Sequence, residues 1–151
     1  METAYFSDIV NDVLRTTGKL AVASKCDHID SEHILLAIID ESLKNADKNC
    51  ITIKVFKLLN INLFELIEDI ESAFDKTENL AVSDKLPFSK KAEMILKHSF
   101  IEAKIYHSIF IDIEHVLLAY LRRDSLFLEK TLIPKYNLTY KRVKESIAKL
   151  T

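Results

Sequence analysis

The sequence predicts an all-α fold: eight helices arranged as two four-helix repeats. Three observations predict it. Residues 6–39 recur at 88–121, with eleven identities over 34 ungapped columns at a constant offset of 82. Apolar residues fall at helical spacing through both copies. One glycine and two prolines in 151 residues leave little material for hairpins or sheet-forming turns.

The elements follow in order. Ser7 and Ser89 each precede a long amphipathic stretch, and a serine there can accept a hydrogen bond from the open N–H groups of a first helical turn. In the first copy Ile9, Val10, Val13, Leu14, Leu20 and Ala21 share helical spacing; in the second, Ala92, Ile95, Leu96, Ile101 and Ala103 do. Asp30-Ser31-Glu32-His33 opens a second helix continuing through Ile34, Leu35, Ile38 and Ile39. Asp112-Ile113-Glu114-His115 opens its counterpart through Val116, Leu117, Tyr120 and Leu121. The apolar stripe in both is wide, as in a helix buried within a bundle. Third and fourth helices are expected at about 51–60 and 62–74, and at about 125–133 and 137–149. Ile61, Leu66 and Ile70 match Leu138, Val143 and Ile147, so the duplication continues after a deletion of about five residues, which falls at the polar loop Asn45–Asn49. Pro134 is expected to stop the seventh helix. The whole chain, 1–151, is expected to form a single domain: repeat one about 5–74, a linker at 75–86, and repeat two about 87–149.

Composition excludes several functions. With Gly18 as the only glycine, no phosphate-binding loop or dinucleotide fingerprint can be written, so nucleotide hydrolysis by a familiar loop is excluded. Net charge is −2 with both signs interspersed. The nearest approach to a basic stripe, Lys135 to Lys149, is interrupted by Glu145, and no nucleic-acid partner is expected. No run approaches the length of a membrane span. Cys26 and Cys50 lack metal-ligand spacing and read as reduced thiols, which makes the cytoplasm the expected compartment.

The Phe-Ser start, the helix opened by Glu-His-(Ile/Val)-Leu-Leu-Ala and the repetition of the unit resemble the N-terminal domain of Clp/Hsp100 unfoldases, closest to the ClpC and ClpA type, over residues 5–149. The resemblance implies an all-α pseudo-twofold of the two four-helix repeats, and a non-catalytic, cofactor-free module that captures protein substrates or adaptor proteins. It implies a Clp ATPase ring and a ClpP-type peptidase as further partners, and a monomeric state for the isolated domain. The chain is then either a piece of the ATPase subunit or a standalone copy. In ClpC-type relatives the glutamate of each Glu-His pair helps bind phosphorylated arginine, which carries over to Glu32 and Glu114. A carboxylate can accept two parallel N–H bonds from a guanidinium, and helix N-terminal amides can take a phosphate.

Departures from that family pattern bear on the same sites. The family glycine is Asp30 in one copy and Asp112 in the other; the family threonine is Ser31 in the first and Ile113 in the second. Added carboxylates oppose a dianionic ligand, so a cationic or unmodified peptide suits these positions better. Phe110 replaces His28 of the first copy and is a candidate exposed aromatic. The binding candidates are therefore Glu32, Glu114, Ser31, Asp30, Asp112 and Phe110, with no catalytic or metal-ligating residue among them. Two rival readings remain. One is a small metal-dependent helical-bundle enzyme using Asp27, His28, Asp30, Glu32 and His33; the other is a structural interaction protein whose groove is vestigial.

Overall fold

Ser7 and Ser89 do what their positions predict. Both sit in extended backbone (φ −65° with ψ 164° and 163°), and each side chain accepts a hydrogen bond from the amide three residues on, Val10 or Ala92. They start α1 (Asp8–Ala23) and α5 (Lys90–Ile105), each 16 residues long. The computed structural model describes residues 5–74 and 86–151; the expected linker lies outside these except for Leu86. Helices α2 (Ser31–Lys44) and α6 (Ile113–Leu121) follow at the Glu-His motifs. Repeat one is completed by α3 (Ile51–Leu58) and α4 (Leu63–Ser72), and repeat two by α7 (Ile133–Tyr136) and α8 (Tyr140–Leu150). The polar stretch at Asn45–Asn49 contains a short 3-10 turn, Ala46–Lys48.

The two Glu-His helices form the centre. Residues 34–39 of α2 and 116–121 of α6 are all buried. Helix α1 packs on α2, α5 packs on α6, and α2 meets α6 directly. One apolar core runs through both repeats, from Val10 and Leu35 to Leu117 and Ile147. Each buried aliphatic side chain contributes about 1.5–3 kcal/mol, so the core, and not helix propensity, holds helices this short.

Two differences from expectation have local causes. Pro134 does not end its helix but lies within α7, preceded by a π-helical turn at Leu128–Leu132. A proline has no N–H for the carbonyl four residues back, and its ring crowds that carbonyl; widening the turn relieves both. The helix stops instead at Asn137, left-handed at φ 52°, as the third helix of repeat one stops at Asn60, φ 55°. In each case the next amide reaches back across the helix end, Leu138 to Leu132 and Ile61 to Phe56, at 3.1 and 3.0 Å.

The second difference is a pair of very short parallel strands. β1 (Tyr5–Phe6) pairs with β2 (Phe110–Ile111), Phe6 opposite Ile111. The equivalent contact elsewhere is a single bridge between Ile29 and Phe88. The entry to each repeat's first helix is thus held by the segment preceding the other repeat's second helix. No helix among the described residues is long and apolar enough to cross a membrane.

Candidate functional site

Asp30 and Asp112 are the N-caps of α2 and α6, with backbone angles of −99°, 172° and −100°, 172°. The Oδ1 of Asp30 accepts the Ser31 amide at 2.8 Å and the Ser89 hydroxyl at 3.0 Å. That of Asp112 accepts the Ile113 amide at 2.9 Å and the Ser7 hydroxyl at 3.1 Å. Each aspartate therefore caps its own helix and joins it to the opposite repeat. Burial works to raise the Asp30 carboxyl, but the Ser31 amide, the Ser89 hydroxyl and the nearby His28 and Lys91 charges hold it below its ordinary value.

The two motif histidines complete these caps. Nδ1 of His33 accepts the Asp30 amide at 2.9 Å, and Nδ1 of His115 accepts the Asp112 amide at 2.9 Å. This is a capping box with histidine in the place usually held by Glu or Gln. An accepting Nδ1 requires a neutral ring, and burial pushes His33 down to about 4 and lowers His115 as well. His33 also stacks on Phe74 with ring centroids 4.2 Å apart, and its Nε2 lies 3.3 Å from the Ser24 hydroxyl. Both histidines are thus structural, holding the helix start and its neighbour.

The motif glutamates sit in the first turns of the same helices, partly buried, in unequal surroundings. Burial raises the Glu32 carboxyl, but the Ser31 hydroxyl bonds to it and Lys91 lends a favourable charge. Glu114 has neither: burial and Asp112 push it up to about 7, and its Oε1 is buried without a hydrogen-bond partner. Lys91 corresponds to Ile9 in the other repeat, and Ser31 to Ile113.

Phe110 is 53% exposed and Ile109 78% exposed, so the loop before α6 presents an apolar tip. His28, its counterpart, pairs with Asp27 at 2.5 Å. The cluster around Cys26, His28, Asp30, Glu32 and His33 leaves an opening of only about 10 Å³. Among the described residues no three or more His, Cys, Asp or Glu side chains converge as metal ligands. Within this cluster His33 Nδ1 and Asp30 Oδ1 are already taken by the cap, which leaves neither atom free for a metal.

The sequence alone does not reveal a wide groove of about 820 Å³ between α1 and the start of repeat two. Leu14, Gly18 and Val22 line it from α1; Leu86, Phe88 and Leu96 line it from the other side. Leu14 and Leu96 occupy the same column of the repeat, so the groove lies at the pseudo-twofold axis. A Cβ built on Gly18 would meet nothing within 4 Å, and the groove floor is open there. The sequence signal that could have found it is the column pairing Gly18 with Phe100.

Comparison with known proteins agrees with this architecture. A family model described as Clp repeat (R) N-terminal domain matches residues 5–133. Chaperone protein ClpB of Bacillus cereus is 25% identical over 113 residues, covering 72% of this chain; the chain spans only 12% of that protein. The Hsp104 N-terminal domain from Candida albicans superposes with a TM-score of 0.74 at 14% identity, covering 97% of this chain and 91% of the other. The N-terminal domain of ClpD from Arabidopsis thaliana gives 0.68 at 15% identity, with 96% and 94% covered.

Proposed function

This chain belongs to the Clp repeat N-terminal domain family, and from that premise we propose that it captures protein substrates or adaptor proteins for a Clp/Hsp100 ATPase and is itself non-catalytic. The observation that carries the reading is the apolar groove at the pseudo-twofold axis, walled by Leu14, Val22, Leu86, Phe88 and Leu96. Burying one large apolar side chain of a partner there releases about 1.5–3 kcal/mol, and the solvent-facing Phe110 tip offers a further apolar contact. The ATPase ring and a ClpP-type peptidase belong to the same proposal, as does a cytoplasmic setting.

The test is a calorimetric titration of the full chain with a permanently unfolded protein such as carboxymethylated lactalbumin, alongside Val22→Asp. Val22 is 48% exposed, so its substitution spares the core. Saturable binding weakened about tenfold or more by the variant is expected. No binding by the native chain, or turnover of ATP by it, overturns the proposal.

A second reading rests on the unpartnered Oε1 of Glu114. A guanidinium delivered to Glu114, or to Glu32 beside Ser31, would supply the missing donors, with Asp30 and Asp112 adding negative potential. Titration with free arginine, phosphoarginine and matched peptides, with Glu32→Ala and Glu114→Ala in parallel, tests it. Binding that survives both substitutions overturns it.

A further inference from the structure

The groove is apolar in its floor and walls but not at its edge. Arg15 and Lys19, one turn apart on α1, both line it, and no carboxylate is among its described lining residues. Arg15 pairs with Asp12 on the exposed face of its own helix. Lys19 is exposed and makes no ion pair among the described residues. Among the described lining residues Arg15 and Lys19 are the charged ones, and both are cations.

The pseudo-twofold gives an internal comparison. In repeat two, Gly18 is replaced by Phe100, which packs against the core with the Lys104 ammonium 4.8 Å from its ring centre. Lys19 is replaced by Ile101. Where α5 presents a ring, α1 presents no side chain at all, with a cation beside the gap. Arg15 keeps a basic counterpart, Lys97, so what is confined to one side of the axis is the open floor at Gly18 together with the second cation, Lys19.

We propose that this groove selects apolar segments of unfolded proteins that carry Asp or Glu beside the apolar residues, and that Gly18 confines them to the repeat-one side. This rests on the groove reading above and names the class of segment the groove takes. Apolar residues fill the floor over Gly18, and the adjacent carboxylates meet Arg15 and Lys19. A segment flanked by lysines leaves both cations facing like charge, and rejection of that kind sets specificity more than affinity.

The test uses three ten-residue fluorescent peptides sharing a Leu-Phe-Leu core and flanked by glutamates, serines or lysines. Each is titrated into the full chain at low salt and in roughly 0.5 M NaCl, a concentration chosen to screen exposed charges. We expect the glutamate peptide to bind roughly three- to tenfold more tightly than the serine peptide, the lysine peptide more weakly still, and the spread to shrink in salt. The double variant Arg15→Glu, Lys19→Glu should reverse the order. Gly18→Phe, which gives α1 the ring that Phe100 gives α5, should abolish binding of all three while its helical circular dichroism remains native and its unfolding midpoint does not fall. Equal binding of the three peptides overturns the charge selection and leaves the groove reading intact. Absence of any binding overturns both. Undiminished binding by Gly18→Phe moves the site elsewhere and overturns the role of Gly18.

Discussion

Glu32 and Glu114 occupy equivalent columns of one duplicated motif and yet live in different electrostatic worlds. Around them the scaffold is the same: Asp caps, His closes the box, and Ser from the opposite repeat bonds to the Asp. What differs is two neighbours. Repeat one supplies a hydroxyl, Ser31, and Glu32 also feels a cation, Lys91; the corresponding residues around Glu114 are Ile113 and Ile9. The first carboxyl is raised against these opposing aids, and the second reaches about 7 with one oxygen unserved. Duplication preserved the parts that hold the backbone and released the side chains around the carboxylate.

The largest effect should come from breaking what the repeats share. Asp30→Ala and Asp112→Ala each remove a cap and a hydrogen bond to a charged acceptor between repeats, and should each cost about 2–3 kcal/mol in urea unfolding. Ser89→Ala combined with Asp30→Ala should be non-additive, because both delete one bond. A large inequality between the two aspartates would break the equivalence of the two stitches.

Next in size is the feature that separates the copies. A carboxyl whose folded value lies above its unfolded value of 4.5 binds more protons when folded, so stability falls as pH rises from 4.5 to about 7 and is constant beyond. Glu114→Gln should therefore gain about 1–3 kcal/mol at pH 8 and almost nothing at pH 4.5. Glu32→Gln should follow the same sign with a smaller gain. Denaturation of all three proteins at both pH values checks this, and a pH-independent effect would sink it. His33 acts in the opposite sense: held neutral down to about 4, it favours the folded state above 6.5 and loses that contribution as pH falls from 6.5 toward 4. The difference between wild type and Glu114→Gln isolates the carboxyl from it.

Ser31→Ala sharpens the same contrast by making repeat one resemble repeat two. The Glu32 carboxyl should rise further toward that of Glu114, read directly by NMR titration. The smallest effect is at Gly18. Gly18→Ala removes a flexible residue from mid-helix where a Cβ meets nothing, and should stabilise by about 0.5–1 kcal/mol in thermal unfolding. No gain would mean the residue's surroundings are tighter than the open floor implies.

Much of this was legible in the sequence, and for identifiable reasons. Helix starts were visible because Ser7, Ser89, Asp30 and Asp112 are side chains whose chemistry is local. The second halves of the repeats were visible because Leu66 and Ile70 keep register with Val143 and Ile147. The exposure of Phe110 was legible from its replacement of a polar residue. What escaped was long-range. Asp30 and Asp112 looked like charges facing a ligand, whereas a serine from the opposite repeat bonds to each. Phe64, an aromatic in the first turn of α4, is 81% exposed, which its apolar character does not announce. The groove pairs Leu14 with Leu96, and no local pattern reports that these two lie at one opening.

The reciprocal exchange at the two helix entries has a consequence for ancestry. Each repeat carries both halves of the stitch, a serine to give and an aspartate to receive, and satisfies neither by itself. A lone ancestral repeat would meet this need by closing on a second copy of itself, each subunit serving the other through one isologous interface. Fusion of two such genes turns that symmetric homodimer into a single polypeptide without altering any contact. It also frees each half to mutate separately, which is how one member can carry Gly18 while its twin carries Phe100.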